Sequence, residues 1–344
     1  MQTDRRPPVD CYWSLTRACG QFCGHCRVDA GEPLPGELRK SEVIDVAKQI
    51  VSLGVSRVVL TGGDPSNHPA WEAAAQQLSA GGVSVRMFVS GRWLNSENLH
   101  RAQTAGVSIF TLSVDGPAEI HNRLRPGPEQ FSDVMNALER LRHAGIPTRV
   151  VTTASAVNIP HLPAIYQQIR DVGVTHWQLQ LLQPVGRARD ALRRLMPQPA
   201  QLEDIVAILR VAAREGRVNA PMHCSIGYLT AEEVALRDRR QTRIWQGCLA
   251  GVAGFAIAPD GRVTGCACLP LSFATANVRQ RRLADIWADD RCFPYSRQWN
   301  PDVLAGDCAS CALAQHCRAG CMGISWSTTG TIGANPYCLR TIRS

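Results

Sequence analysis

The chain has 344 residues, 45% of them hydrophobic, with a formal net charge of +8; that can bury one large core or two smaller ones and does not point to disorder. No apolar run approaches the roughly 20 residues of a membrane span, and the opening MQTDRRPPVD has no apolar stretch of a signal peptide, so a cytoplasmic protein without membrane partners is expected. The charge comes almost wholly from arginines scattered through helical segments, without basic tracts interleaved with aromatics, which argues against nucleic acid as a partner.

Apolar and β-branched runs predict a first strand over Cys11 to Leu15, followed by a loop with the spacing C-x3-C-x2-C at Cys19, Cys23 and Cys26. Three thiolates on a short glycine-containing loop can converge on one face of a cubane and leave its fourth iron without a protein ligand. A zinc knuckle is the alternative, but zinc prefers four ligands and His25 is tightly sandwiched between two of the cysteines. A helical pattern over Glu42 to Leu53 leads to a second strand, Arg57 to Leu60, and then to Gly62-Gly63-Asp64-Pro65. Paired glycines let backbone approach a ligand closely, and Asp64 can accept hydrogen bonds from an ammonium group.

A helix over Trp71 to Leu78 and a strand over Val83 to Val89 precede Ser90-Gly91. A helix over Glu97 to Ala105 and a strand over Val107 to Val114 then run into Ser113-Val114-Asp115-Gly116, with His121 and Arg125 beyond. These offer hydroxyl and carboxylate acceptors for a ribose and a guanidinium fork for a carboxylate. Phe131 to Ala144 and Leu162 to Val172 are helical, Thr148 to Thr153 and Trp177 to Leu182 extended, and Gly186-Arg187 follows. Several helices end at a glycine, as at Gly54, Gly106 and Gly145. Six βα units imply a parallel sheet with right-handed crossovers, either an open doubly wound sheet or a partial barrel, and in both the strand C-termini carry the site.

Fourteen cysteines in a reducing compartment point to metal or redox chemistry before disulfides. Between Cys26 and Cys248 the only one is Cys224, so two metal regions flank a scaffold. Cys11 lies in the first strand and reads as a small core residue. In the C-terminal region twelve residues separate Cys248 from Gly261 and four separate Gly261 from Cys266. The later spacing is C-x2-C-x5-C-x3-C over Cys308, Cys311, Cys317 and Cys321, with Cys338 beyond.

From about residue 9 to 190 the order of C-x3-C-x2-C loop, GGDP segment and S-x-D-G segment resembles the radical S-adenosylmethionine (SAM) superfamily, with Asp64 for the usual glutamate and Ser90 for the usual asparagine. The C-terminal spacing resembles the SPASM domain. Together they imply an α/β fold, a partial (β/α)6 TIM-like barrel with a cysteine-rich SPASM domain behind it: tail 1–8, barrel 9–190, bridging helices 191–247, SPASM domain 248–344.

By that resemblance Cys19, Cys23 and Cys26 ligate a [4Fe-4S] cluster whose open iron takes the amino and carboxylate groups of SAM. His25 reaches adenine through its backbone, Gly62, Gly63 and Asp64 hold the ammonium, Arg125 the carboxylate, Ser113 or Asp115 the ribose; Ser90 and Leu182 join the cofactor site. SPASM wiring gives Cys248, Cys266 and Cys321 to a first auxiliary [4Fe-4S] cluster and Cys308, Cys311, Cys317 and Cys338 to a second, three clusters in all. The first auxiliary cluster is one ligand short; Cys268, Cys292 or Cys224 fills the gap, or its fourth iron is open to substrate.

The chemistry implied is one-electron cleavage of SAM to methionine and a 5′-deoxyadenosyl radical, which abstracts hydrogen from substrate while the auxiliary clusters accept the electron. SPASM proteins most often modify peptides, so a ribosomally made peptide is the expected substrate, gaining a crosslink, thioether or epimer. Formylglycine chemistry is disfavoured, because Ala267 stands where the sulfatase-maturing enzymes carry an aspartate. Only about eight residues precede the first strand, so a separate leader-recognition protein is expected, along with an electron donor such as flavodoxin or ferredoxin. The alternatives are a radical dehydrogenase of a small molecule and a non-catalytic iron-sulfur electron carrier; the carrier leaves Gly62 to Asp64 and Arg125 unexplained.

Overall fold

A computed structural model describes residues 6–127, 129–190, 192–237 and 245–343. Strands β1 (Asp10–Thr16), β2 (Arg57–Gly62), β3 (Ser84–Phe88), β4 (Val107–Ser113), β5 (Thr148–Ala154) and β6 (His176–Leu181) alternate with helices. These are α1 (Lys40–Ser52), α2 (Trp71–Ala80), α3 (Ser96–Thr104), α4 (Ala118–Leu124), α5 (Gln130–His143) and α6 (Leu162–Asp171). Every predicted strand and helix is present with its ends within two residues of the expected ones. Among these twelve elements only α4 was not foreseen, since seven residues are too few for a helical period to show.

The strand order is β6-β5-β4-β3-β2-β1-β7-β8-β9, so each of the first six strands lies beside its neighbours in sequence. A doubly wound sheet reverses direction at a switch point; here there is no reversal, which makes the arrangement that of a barrel opened beside β1. There β1 pairs in parallel with β7 (Gly254–Ile257), and β8 (Arg262–Thr264) and β9 (Ala276–Asn277) continue antiparallel.

The chain forms two compact units, Met1–Gln21 with Val28–Thr111 and Leu249–Trp299, and Phe22–Arg27 with Leu112–Cys248 and Asn300–Ser344. In the first, β1 turns Cys11, Trp13 and Leu15 into the core, where Val58, Leu60, Val85, Met87 and Phe255 are also buried, while Tyr12 faces out; this is the alternation that a half-buried strand demands. Burial pushes the Cys11 thiol well above its usual range, as a core residue requires.

In the second unit the Trp177 indole donates to Thr152 Oγ1 at 2.9 Å, and Thr152 Oγ1 donates to the Val114 carbonyl at 2.6 Å, satisfying polar atoms that the packing buries. Tyr166 stacks on Trp177 at 5.8 Å. Beyond the strands this unit adds α7 (Leu192–Leu195), α8 (Leu202–Glu215) and α9 (Ala231–Leu236), then helices of four to eight residues from Asp307 onward. Among the described residues no helix is long and apolar enough to cross a membrane.

Candidate functional site

The first unit holds the start of the N-terminal cysteine loop. Gly63 N–H donates to the Thr16 carbonyl at 2.7 Å and Asp64 N–H to the Ala18 carbonyl at 2.8 Å. A Cβ on Gly62 would meet the Thr16 carbonyl, and one on Gly63 the carbonyls of Arg17 and Ala18. The close approach that the paired glycines permit is therefore made by the chain itself, stapling the end of β1 to the end of β2. Cys19 is anchored where its N–H donates to Gly31 O at 2.8 Å, and its sulfur accepts from Gln21 N–H at 3.4 Å. Asp64 is buried, with Oδ1 accepting from Ser66 N–H and Oγ–H at 3.1 and 2.6 Å and Oδ2 accepting from Ser90 N–H at 3.2 Å. Ser90 thus enters the site through its backbone, and its hydroxyl oxygen accepts from Trp93 N–H at 3.3 Å.

The second unit holds Cys23, His25 and Cys26 together with Asp115 and Arg125. Cys26 N–H donates to the Cys23 carbonyl at 3.1 Å, and Gly24 N–H to the Leu124 carbonyl at 3.3 Å, which hangs the loop on the end of α4. Arg187 clamps its other side, with Nε donating to the Cys23 carbonyl and its backbone N–H to the Cys26 carbonyl, each at 3.1 Å.

Asp115 is fully buried at the end of β4. Its Oδ2 accepts from Arg125 Nε at 2.6 Å and lies 3.1 Å from His25 Nε2, and its Oδ1 accepts from Thr153 N–H at 2.8 Å. Burial alone would raise this carboxyl, but Arg125 and His25 outweigh it and hold the group well below the usual carboxylate range. The other side of the Arg125 guanidinium, Nη1, lies 3.6 Å from Cys23 Sγ. Burial pushes the Cys23 thiol up, and Arg125 opposes that rise. His121 Nδ1 accepts from Asp115 N–H at 3.2 Å; burial first and Arg125 second depress its pKa to about 4, so it is neutral at pH 7.

Ser113 is half-buried at the end of β4. Leu182 is a core residue, fully buried in a cluster with Ile120, Leu124 and Ala188, so its side chain packs on α4, which leads into Arg125. Asp115 likewise spends its carboxylate on Arg125, and Arg125 turns one edge toward a cysteine sulfur.

At the C-terminal cysteines, burial raises the Cys308 thiol, with Cys338 and Cys311 adding to the rise. Burial pushes Cys317 to about 11, with Cys338 and Cys308 again contributing. Cys308 thus lies within electrostatic reach of Cys311, Cys317 and Cys338 inside the second unit. Cys321 lies there too: its N–H donates to the Tyr228 hydroxyl at 3.1 Å, and that hydroxyl donates to the Cys224 carbonyl at 3.1 Å. In the first unit Cys268 N–H donates to Cys266 Sγ at 3.4 Å, and Cys292 is buried with Arg281 Nη1 3.7 Å from its sulfur.

The donor chemistry fits iron-sulfur clusters. The sets are thiolate only, as soft iron-sulfur ligation requires. Among the described residues no three His, Cys, Asp or Glu side chains converge on a point fit for a single metal ion; cubane thiolates ligate separate irons and need no such convergence. The buried His25 Nδ1 has no hydrogen-bond partner among the described residues, an orphaned polar atom beside the loop where SAM is expected.

The residues that the sequence did not single out are Tyr228, Glu233 and Arg237, which gather around Trp245, one of the dispersed tryptophans expected to serve in packing. Glu233 is almost fully buried; it accepts from Leu229 N–H at 2.6 Å and Trp245 N–H at 3.2 Å and lies 2.5 Å from the Arg237 guanidinium. Arg237 donates to the Gly227 carbonyl at 2.9 Å and covers the Trp245 ring at 5.0 Å, and Trp245 Nε1 donates to the Cys317 carbonyl at 3.1 Å. The Glu233/Arg237 spacing of four on a helix was the one available signal.

Comparison with known proteins bears on the same segments. Residues 13–165 match the Radical SAM superfamily, and residues 248–312 match SPASM, an iron-sulfur cluster-binding domain. The AdoMet-dependent heme synthase of Methanosarcina barkeri is 26% identical over 339 residues, 95% of this chain and 95% of its own. The mycofactocin maturase MftC of Mycobacterium ulcerans is 27% identical over 338 residues, 97% of this chain and 88% of its own. Among solved structures, native anSMEcpe with bound AdoMet and Cp18Cys peptide superposes with a TM-score of 0.72 at 15% identity, over 96% of this chain and 94% of that one.

Proposed function

Because the chain belongs to the radical SAM superfamily and is an enzyme with a SPASM iron-sulfur region, we propose that it cleaves SAM reductively and oxidises a small molecule by hydrogen-atom abstraction. One observation carries the choice of substrate class: alignment with a heme synthase runs through 95% of both chains. That reverses the weight of the sequence-based expectation, in which a peptide came first and a small molecule second. The small molecule proposed is a carboxylate-bearing tetrapyrrole, the chemistry of heme synthesis. A peptide remains the second reading, favoured by the fold shared with a peptide-bound enzyme.

SAM and [4Fe-4S] clusters, SPASM auxiliary clusters included, are the cofactors of this family; three clusters on the ligand sets named above is the count proposed. Bound together, SAM and the N-terminal cluster supply an oxidant strong enough to take hydrogen from carbon. The chain's own part is placement. Cys19, Cys23 and Cys26 would hold the N-terminal cluster. Asp115 orients Arg125 so that a guanidinium edge can receive the carboxylate of SAM, a charge-assisted and geometrically selective contact. Asp64, aligned by Ser66 and Ser90, offers acceptor oxygens to the ammonium. An electron donor of the flavodoxin or ferredoxin type, a cytoplasmic setting and, under the peptide reading, a separate leader-recognition protein complete the proposal.

The test uses protein reconstituted anaerobically with iron and sulfide. About twelve irons are expected, and dithionite with SAM should yield 5′-deoxyadenosine that vanishes in Cys23→Ala. A carboxylated porphyrin should raise the yield and be consumed. A yield that responds only to a peptide would establish the second reading, and zinc in place of iron would overturn both.

A further inference from the structure

The spacing of seven C-terminal cysteines leaves one auxiliary cluster a ligand short, and three other cysteines compete for the place. Cys292 is buried, with Arg281 near its sulfur and its N–H donating to the Asp289 carbonyl at 3.0 Å. Cys268 follows Cys266 by two residues and gives it a backbone N–H, the contact of a residue that supports a neighbouring thiolate.

Cys224 is placed differently. It lies on the loop after α8, and its neighbour Ser225 is fastened to the end of β6, where Leu181 N–H donates to Ser225 Oγ at 3.1 Å. That is the C-terminal edge of the strands, where the site is expected. The Tyr228 hydroxyl then ties the Cys224 carbonyl to the Cys321 amide, so the two backbones are separated by no more than two hydrogen bonds of 3.1 Å through one oxygen. Gly320, at a φ of +70°, lies flat on the Tyr228 ring, where any Cβ would collide with it, so the approach of Cys321 to this tyrosine is built in.

The stretch that leads into Cys248 comes to the same place. The Tyr228 and Trp245 ring centroids are 5.6 Å apart, and Trp245 is bonded to the Cys317 carbonyl. Gly247 packs on Arg318, with its Cβ position 2.6 Å from Arg318 Cδ. The Glu233–Arg237 pair grips both the Ile226–Leu229 turn and Trp245. Within one compact unit a rigid frame of Tyr228, Trp245, Glu233 and Arg237 therefore presents Cys224, Cys248 and Cys321 on neighbouring stretches of chain.

We propose that Cys224 fills the missing thiolate place of the first auxiliary cluster, beside Cys248 and Cys321. Ligation releases the thiol proton to solvent and leaves that cluster fully ligated by protein, so the iron that a substrate atom would need is closed. The first auxiliary cluster then serves in electron transfer. The inference rests on the SPASM reading, and the experiment separates their failures.

The N-terminal cluster is removed by the C19A/C23A/C26A triple substitution in the full chain, and iron, sulfide and the reduced-state electron paramagnetic resonance (EPR) spectrum are measured with and without added cyanide. About eight irons are expected, with a spectrum indifferent to cyanide; absence of iron would sink the SPASM reading itself. Adding Cys224→Ala should shift the g-values of one cluster and make that signal respond to cyanide, whereas adding Cys268→Ala should change neither. Cys224→Ser, nearly equal in volume, should shift the g-values while keeping about eight irons, which guards against a variant that merely fails to fold. A parent spectrum that already responds to cyanide, an unchanged spectrum in both Cys224 variants, or a response created by Cys268→Ala would overturn the assignment.

Discussion

Each cysteine region leans on one buried carboxylate–arginine pair, and the two pairs do different work. At the N-terminal loop Asp115 holds Arg125 by Nε and leaves Nη1 3.6 Å from a cysteine sulfur. At the C-terminal cysteines Glu233 holds Arg237, which donates to the Ile226 and Gly227 carbonyls and covers an indole. Taking two charges out of water is costly in both places. In the first pair the arginine keeps one edge turned to Cys23 Sγ, and in the second the pair fixes the course of two loops. Under the function proposed, placing a cofactor and placing a chain use the same device with the arginine turned differently.

The most severe way to separate the regions is Cys23→Ala, which should remove 5′-deoxyadenosine formation altogether while most auxiliary iron stays bound; equal iron loss from both regions would join what the comparison divides. The two pairs can then be set directly against each other. Asp115→Asn and Glu233→Gln each strand a buried arginine and should cost about 3 kcal/mol of stability in denaturant titrations. Only Asp115→Asn should also weaken SAM binding, and only Glu233→Gln should alter the EPR of an auxiliary cluster. A loss of SAM affinity in both would show the second pair to be part of the SAM site.

A smaller effect is expected at Asp64, whose replacement by alanine removes the acceptors proposed for one ammonium group. The SAM dissociation constant should rise about tenfold, worth about 1.4 kcal/mol, with iron content unchanged; an unaltered constant would remove Asp64 from the site. The smallest belongs to a half-exposed pair. Arg279 bridges Glu42 and the Gly36 carbonyl, and its bonds to Glu42 depress that carboxyl from 4.5 to about 2. A depressed folded-state pKa contributes stability above the ordinary value and loses it as pH falls. Solvent screens this pair, so Arg279→Ala should cost about 0.5 kcal/mol at pH 7, and the difference from the parent should fade between pH 4.5 and 2. A difference that persists at pH 2 would assign Arg279's effect to its backbone contacts.

Much of this was legible beforehand because it is local. Strand and helix periods, the C-x3-C-x2-C loop, the glycine pair before Asp64 and the C-terminal cysteine spacing are properties of neighbouring residues, and they carried the α/β class and the family. Where reasoning had to cross the chain it ran out. Nothing near Asp115 in sequence says that its carboxylate is spent on Arg125 and His25, nor near Leu182 that its side chain is core. The glycines at 62 and 63 were expected to admit a ligand; the carbonyls they admit belong to Thr16, Arg17 and Ala18. Tyr228, Glu233 and Arg237 carry no motif at all.

By itself, then, the sequence determined which atoms are available for chemistry: thiolates in two spaced groups, an arginine and acidic residues after particular strands, and a repeating βα pattern. Only the tertiary structure decided the strand order that distinguishes a partial barrel from a doubly wound sheet, and which carboxylate each arginine serves. It alone brought Cys224 and Cys321 to one tyrosine hydroxyl, because these are pairings between residues up to about a hundred positions apart, chosen by how side chains fill space and satisfy buried polar groups.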